Sequence, residues 1–129
     1  MKLTIQGQVP SKKNQWKIVS TRGRPNIAKS AKTREWEISA LWQIREQVST
    51  WDRYRPIYDG PVHLKALIYR KTKVRADLSN LIQSVEDILQ RARIIGDDFQ
   101  IESLDGSRRI LGVPPGQERA EIEIKGMKI

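Results

Sequence analysis

The stretch RADLSNLIQSVEDILQRARIIGDDFQ, residues 75–100, contains the clearest helix pattern of the chain and a set of acidic side chains around it. Its apolar residues recur at three- and four-residue spacing, which is typical of one face of an amphipathic helix. They are Leu78, Leu81, Ile82, Val85, Leu89 and Ala92. Gly96 then marks the end of the helix, and the apolar residues from Phe99 to Leu104 predict a strand. The stretch therefore predicts a helix, a turn and a strand in succession.

Four carboxylates of this stretch need an explanation in a basic chain. Asp77 begins the helix, Asp87 lies within it, and Asp97 and Asp98 follow it. If the strand returns alongside the helix start, Asp98 can approach Asp77, and clustered carboxylates repel one another unless they hold a hard cation such as Mg²⁺. Alternatively, Asp77 is only a helix N-terminal charge and the Asp pair only a turn, because Asp favours both places. The spacing leaves both interpretations open.

Length and composition limit the functions that the chain can have. The chain has 129 residues, with 24 Lys and Arg against 15 Asp and Glu and a net charge of +9. This length predicts a single domain over residues 1–129, and the charge predicts an acidic partner, of which nucleic acid is the commonest. The absence of cysteine excludes disulfides and Cys-based zinc sites. No run approaches the roughly 20 apolar residues of a membrane span, so we expect a soluble cytoplasmic protein without a membrane partner.

The hydrophobic pattern of the whole chain predicts an α/β fold. Helical spacing predicts a long helix over residues 30–51, and alternation of apolar and polar residues predicts strands. The strands are predicted over 2–9, around 16–19, over 61–69, from 99 to 110 and over 120–125. The order β, β, α, β, α, β, β predicts a mixed β-sheet with two principal helices, covered by the long helix or by a partner.

Two basic segments are candidates for contact with DNA phosphates, which position a nucleic acid on a protein. They are Lys12, Lys13, Arg22 and Arg24 in a hairpin-like loop near the amino terminus, and Lys71, Lys73 and Arg75 directly before Asp77. A basic segment that leads directly into an acidic site is what a nuclease requires, since basic side chains position the DNA while carboxylates hold the metal. A solvated loop of charges is the alternative for the second segment.

The order of these motifs resembles the RusA family of Holliday junction resolvases. The family pattern is DxDN, a Lys three residues after the Asn, an Asp four residues later, and a DD pair with QV or QI behind it. Here DLSN at 77–80, Asp87 and DDFQI at 97–101 follow that order. The segment GQVPSKKNQW at 7–16 resembles the family's PPSxN opening, with Asn14 as its Asn, and RGRP at 22–25 resembles its basic loop. The resemblance covers essentially the whole chain.

The resemblance implies a homodimer that binds a four-way DNA junction and makes paired symmetrical nicks by Mg²⁺-dependent hydrolysis, in DNA recombination and repair. It implies that Asp77 and Asp98 are metal ligands and that Asp97 and Asp87 support them. Asn14 joins the candidate DNA contacts on the same ground.

Two catalytic positions depart from the family pattern. Ser79 stands where the second catalytic Asp is expected, and Gln83 stands where the Lys is expected. A hydroxyl is a poorer Mg²⁺ ligand than a carboxylate, and a neutral amide cannot supply the charge of a Lys. A junction-binding protein with weakened or lost cleavage is therefore a second hypothesis. A nonspecific basic DNA-coating protein would account for the net charge but leaves the acids without a role.

Overall fold

The computed structural model describes residues 1–11, 16–21, 24–29, 31–50, 52 and 54–127, with the backbone alone described within 16–29. The elements are β1 (Lys2–Gln6), β2 (Trp16–Thr21), β3 (Arg24–Lys29), α1 (Ala31–Gln47), β4 (Val62–Arg70), α2 (Leu78–Arg91), a 3-10 turn (Asp98–Gln100), β5 (Ile101–Ser103), β6 (Arg108–Leu111) and β7 (Arg119–Gly126). The predicted α/β fold with a mixed sheet and two principal helices is confirmed. Among the described residues, no helix is long and apolar enough to cross a membrane.

Strand β4 lies at the centre of a five-stranded sheet. The strand order is β1, β7, β4 and β5, and β6 also pairs with β4. β7 is antiparallel to β1 and β4, whereas β5 pairs in parallel with the start of β4 and β6 with its end. Parallel strands must be joined by a crossover connection, and α2 forms most of it. α2 therefore runs back along the sheet, from the end of β4 towards its start.

One face of the sheet forms the core beneath the two helices. Side chains of β4 alternate between buried and half-exposed, as a half-covered strand requires. The apolar residues predicted for α2 are buried except Leu78, which is partly buried, and Ile88 joins them. The helical spacing over residues 30–51 comes from Trp36, Ala40, Leu41, Ile44 and Val48, of which all but the partly buried Leu41 are buried. The hydrophobic periodicity thus identified the core faces of both helices.

The predicted strand over 99–110 is wrong in its continuity. Residues 104–107 form a turn, closed by the Ser107 amide donating to the Leu104 carbonyl at 3.0 Å, with Gly106 at φ 87°. The Ser107 hydroxyl accepts a hydrogen bond from the Ala66 amide at 3.0 Å and so fills the gap between β5 and β6. Phe99, predicted as a strand residue, lies in the 3-10 turn.

Other differences concern element boundaries and one additional strand. The first strand ends at Gln6, before Gly7 at φ 108°, and the long helix ends at Gln47. β3 was not predicted, because its sequence RPNIAK contains a Pro and no sustained alternation. It pairs with β2 as an antiparallel two-stranded ribbon.

Two glutamine side chains of α1 seal the outer edge of β1. The Gln47 side chain accepts from the Thr4 amide at 2.9 Å and donates to the Thr4 carbonyl at 2.7 Å. Gln43 makes the same pair of bonds with Gln6, at 2.6 and 3.1 Å. Unpaired edge strands are templates for pairing with another chain. The two amides occupy the groups that such a chain would use.

The double substitution Gln43→Ala, Gln47→Ala should lower the free energy of unfolding by about 2 kcal/mol, since four partly solvated hydrogen bonds are lost at the lower end of their usual net value. Urea unfolding monitored by circular dichroism measures the change. Glu46→Ala, an exposed change on the same helix, is the matched control. Equal losses in the two proteins would contradict a role for the glutamine bonds.

Candidate active site

The predicted carboxylates lie towards opposite ends of α2. Asp77 is the residue that caps its amino terminus, whereas Asp98 lies close enough to Glu86 and Asp87 to act on them electrostatically. Glu86 follows Asp77 by nine positions, which is about 14 Å along a helix axis. β5 returns alongside the start of β4, at the other end of the sheet from Asp77. Within one chain, the structure therefore does not bring Asp98 to Asp77.

Asp77 occupies the N-cap position without using its side chain as a cap. Its carbonyl accepts from the Asn80 and Leu81 amides, but its carboxylate makes no capping hydrogen bond. The carboxylate instead forms an ion pair with Arg75 at 3.4 Å, and 43% of the side chain is exposed. Arg109 donates to the carbonyl of Ala76 at 2.8 Å and holds the preceding residue in place. The carboxylate is thus positioned by its backbone and open to a ligand.

The turn that carries Asp98 is fixed by Gln100. The Gln100 side chain accepts from the amides of Gly96 and Asp97, at 2.7 and 3.0 Å, and donates to the carbonyls of Tyr58 and Gly60, both at 2.8 Å. Asp97 completes a capping box by accepting from the amide of Phe99 at 2.9 Å. Asp97 thus has a structural role, as its turn interpretation predicts. The side chains of Asp98 and Phe99 are exposed on a fixed backbone.

The carboxylates near this turn perturb one another. The hydrogen bond from the Phe99 amide, followed by one shared with Asp98, lowers the pKa of Asp97. The same shared bond is the main cause that raises the pKa of Asp98. Burial raises the pKa of Glu86, and the charges of Asp98 and Asp87 add to the effect. The negative charge gathered here is the kind that a cation relieves.

The donor chemistry of this cluster fits a partial Mg²⁺ site. Mg²⁺ prefers oxygen ligands and is usually held by one or two carboxylates together with water and substrate phosphates. Among the described residues, no group of three or more Asp, Glu or His side chains is arranged as a complete metal site. The carboxylates around Asp98 therefore offer oxygen ligands of the kind that Mg²⁺ takes.

A groove, called here the α2 groove, runs between α2 and the β5–β6 edge as two adjoining cavities. One, of about 340 Å³, is lined by Leu78, Ser79, Ile82, Glu86, Leu104 and Ser107. The other, of about 350 Å³, is lined by Glu86, Asp98, Phe99, Ile101, Glu102, Ser103 and Leu104. Ser79 is thus at one end of the groove and Asp98 at the other.

Glu86 is the residue that the sequence interpretation missed. It borders both cavities and is half-buried. The available signal was its spacing, because Ser79, Gln83 and Glu86 follow at i, i+4 and i+7 and share a helix face. Gln83 is exposed. Asp87 faces another way, towards a cavity of about 20 Å³ that it shares with Pro10, Trp36 and Arg91.

Five exposed basic residues of the described part of the chain lie towards the Asp77 end of α2. Lys71, Lys73 and Arg75 are exposed in the loop between β4 and α2. Arg108 and Arg109, which the sequence interpretation did not assign to DNA, are exposed on β6, which pairs with the end of β4. Of the positions predicted near the amino terminus, Arg24 is described by its backbone in β3. Lys12, Lys13, Asn14 and Arg22 lie outside the described residues.

Gln100→Ala should lower the free energy of unfolding by about 2–4 kcal/mol, because it removes four hydrogen bonds of about 1 kcal/mol each at a half-buried position. Thermal and urea unfolding measure the loss. Gln117→Ala, at an exposed position before β7, is the matched control and should change little. A stability equal to that of the control would contradict the assignment of Gln100 as the residue that fixes the acidic turn.

Comparison with known proteins identifies the family of the chain. No curated protein matches the chain in a direct sequence comparison. The family model described as endodeoxyribonuclease RusA matches residues 7–125. This span includes both basic segments, α2 and both groups of carboxylates. The resemblance seen in the sequence motifs is thereby confirmed, and the chain belongs to the RusA family of endodeoxyribonucleases.

Proposed function

We propose that the protein is a Mg²⁺-dependent endonuclease that resolves four-way DNA junctions by paired symmetrical nicks, in DNA recombination and repair. The observation that carries this proposal is the match to the endodeoxyribonuclease RusA family over residues 7–125, with carboxylates exposed at the motif positions Asp77 and Asp98. The exposed basic loop beside Asp77 and the fixed acidic turn at Asp98 support it.

In this proposal Asp77 and Asp98 are metal ligands, and Asp97 and Asp87 support them. A bound Mg²⁺ would polarise the phosphate and lower the pKa of an attacking water. The chain's own part is to hold these carboxylates in place, Asp98 through the Gln100 bonds and Asp77 through the backbone of the α2 start.

The separation of the two ligands supports a homodimer. Within one chain, Asp77 lies about 14 Å along α2 from Glu86. Asp98 lies at the Glu86 end of the helix, so we infer that the two carboxylates do not share a metal ion within one chain. Two copies related by a two-fold axis can each lend Asp98 to the other's Asp77 and form two equal sites. Two equal sites suit a substrate in which two strands are nicked symmetrically.

DNA contacts are assigned to the basic segments. Lys71, Lys73 and Arg75 would meet phosphates beside Asp77, and exposed Arg108 and Arg109 extend that surface. The amino-terminal set, Lys12, Lys13, Asn14, Arg22 and Arg24, is proposed from the sequence motif.

A junction-binding protein with weak or no cleavage is the second candidate, and one observation favours it. The residues that line the α2 groove, all within the described part of the chain, include neither Lys nor Arg. Gln83 lies between Ser79 and Glu86 on that helix face, where a Lys would supply a cation to the transition state. This candidate keeps the DNA-binding surface but cleaves DNA slowly or not at all.

The test uses a labelled four-way junction and a linear duplex of the same sequence, each with and without Mg²⁺. We expect Mg²⁺-dependent nicking of the junction, abolished by Asp77→Asn and by Asp98→Asn, with junction binding retained because a charge that repels phosphate is removed. Mixing the two variants should restore single nicks at about a quarter of the wild-type sites, because a mixed dimer carries one complete ligand pair.

The outcomes of this test separate the candidates. Binding of the junction without nicking by the wild type supports the second candidate. Equal nicking of junction and duplex contradicts a junction-specific enzyme. Failure of the mixture, beside active wild type, contradicts a site shared between two chains, and a mixture of two Asp98→Asn preparations controls for contaminating nuclease.

Ser79→Asp should raise the cleavage rate at low Mg²⁺, because it restores DxDN and adds a charged oxygen ligand. It should cost little stability, since an acid in the first helical turn is favourable. Gln83→Lys, alone and combined with Ser79→Asp, tests the missing cation. Cleavage rates across a Mg²⁺ titration are the measurement, with junction affinity measured separately. If Ser79→Asp slows cleavage at every Mg²⁺ concentration, the site uses Ser79 as it stands.

A further inference from the structure

Arg70 is a charged side chain at a core position. Buried and half-exposed residues alternate along β4, and the buried ones before Arg70 are Val62, Leu64, Ala66 and Ile68. Arg70 continues this series on the same face of the sheet and is only 8% exposed. Arginine is almost never buried unless it is paired, because removing its charge from water is costly. A break of this kind in the pattern of a strand is expected at functional positions.

The guanidinium of Arg70 has one hydrogen bond within the described residues. Its Nε donates to the Val9 carbonyl at 3.3 Å, whereas its two Nη groups have no partner among those residues. Burial lowers the pKa of the guanidinium, and no carboxylate of the described residues offsets this effect. Within the described part of the chain, the charge is therefore buried without an opposite charge.

The rest of the sequence has no acidic side chain to offer. Residues 12–30, 51, 53 and 128–129, whose side chains the structure does not describe, include neither Asp nor Glu. The first acidic residue of the chain is Glu35. No side-chain carboxylate of the protein is therefore available to neutralise Arg70, and a bound anion can take that place.

The unpartnered end of Arg70 reaches the surface. Among the described side chains, the fully buried nitrogens without a hydrogen-bond partner are Trp36 Nε1 and Arg93 Nε. The Nη atoms of Arg70 are not in this group, so the exposed part of the residue includes its charged tip. Two Nη groups in one plane match two oxygens of a phosphate, and such charge-assisted hydrogen bonds are among the strongest in proteins.

The surroundings of Arg70 favour a phosphate of DNA over a small free anion. The exposed basic segment 71–75 follows Arg70 directly. Exposed Arg108 and Arg109 lie on β6, which pairs with the last residues of β4. Several cations at one end of the sheet suit a long polyanion, whereas a single small anion does not need them.

We propose that Arg70 binds one phosphate of the DNA backbone at the end of β4, through its two Nη groups. The proposal rests on the DNA surface of the proposed function and adds a buried contact to it. Arg70 is held by the Val9 carbonyl and by its burial, so it has little side-chain freedom left to lose when DNA binds. It therefore fixes the position of one phosphate, whereas the exposed lysines attract the DNA.

A purely structural role for Arg70 is the rival interpretation. The neighbours of Val9 are also held, since the Gln8 side chain accepts from two amides of the loop after β4 and the Pro10 carbonyl accepts from the Ser84 hydroxyl at 2.6 Å. The bond from Arg70 to Val9 belongs to this series. A neutral donor would be enough for the Val9 carbonyl, so the series does not account for a buried positive charge.

The test measures the affinity for a labelled four-way junction and a linear duplex, without Mg²⁺, over a range of salt concentrations. Arg70→Met keeps a long side chain and removes the charge. It should weaken binding about 10- to 100-fold and make the log–log salt slope shallower by about 1, because one phosphate contact is lost. Arg70→Gln, a second neutral variant that retains a donor, should lose the same amount of slope. Urea unfolding establishes that each variant is folded.

Three further variants separate charge from packing. Arg70→Lys keeps a positive charge without the planar fork, so it should weaken binding less and leave the salt slope unchanged. Arg55→Met makes the same change at an exposed arginine in the loop before β4 and is the matched control. Ser84→Ala removes the bond to Pro10 without a change of charge, and it too should leave the slope unchanged.

A salt slope that stays the same in Arg70→Met and Arg70→Gln would overturn the proposal. An equal loss of slope in Ser84→Ala would assign the effect to loosening of residues 8–10, and an equal loss in Arg55→Met would assign it to net charge. Inorganic phosphate provides one more measurement. If it raises the thermal midpoint of the wild type but not of Arg70→Met, while DNA affinity is equal in the two proteins, Arg70 binds a free anion instead.

Because binding is measured without Mg²⁺, the phosphate contact and the nuclease can fail separately. Binding that depends on Arg70, in a protein that never nicks DNA, supports the contact and contradicts the nuclease. A nuclease whose DNA affinity and salt slope ignore Arg70→Met supports the enzyme and contradicts the contact.

Discussion

The parallel pairing of β5 and β6 with β4 governs the arrangement of the whole molecule. Parallel neighbours cannot be joined by a tight turn, so the chain must travel back along the sheet before it enters β5, and α2 is that return path. The apolar face of α2 covers the sheet and commits the helix to this direction. Residues just before and just after the helix are consequently held at opposite ends of the sheet. A short distance in sequence, from Asp77 to Asp98, becomes a long one in space.

This constraint places the acidic residues in different surroundings. Asp97 is held by the backbone of its own turn, whereas a hydrogen bond shared with Asp97 raises the pKa of Asp98, and the charges of Asp97 and Asp87 add to the effect. Asp77 stands alone at the far end, beside Arg75 and the basic loop. The start of α2 carries one carboxylate beside the exposed basic segment 71–75, and its end carries several carboxylates, with Arg91 of the last turn paired to Glu37.

The sequence predicted what depends on local pattern. The core faces of both helices, the central strand β4 and the mixed sheet follow from hydrophobic periodicity, and the family followed from the spacing of DLSN, Asp87 and DDFQI. The sequence did not predict that the strand after α2 is divided into β5 and β6. The division depends on a turn around Gly106 and on the Ser107 hydroxyl, which accepts a hydrogen bond from the Ala66 amide of β4. Glu86 was missed because its importance comes from neighbours that are distant in sequence. The approach of Asp98 to Asp77 depended on the path of the chain, which no local pattern records.

Gln100 and Phe99 are neighbours under opposite chemical constraints. Position 100 must accept two hydrogen bonds and donate two from one planar group of the right length, so Glu lacks the donors, Lys lacks the acceptors and Asn lacks the reach. Among the natural amino acids, Gln alone meets all of these demands. Phe99 has an exposed side chain within its own chain, and another residue could replace it without disturbing the fold. In evolutionary terms, residue 100 can change only together with the loop at 58–60 that it holds, whereas the exposed side chain of Phe99 is free of that constraint.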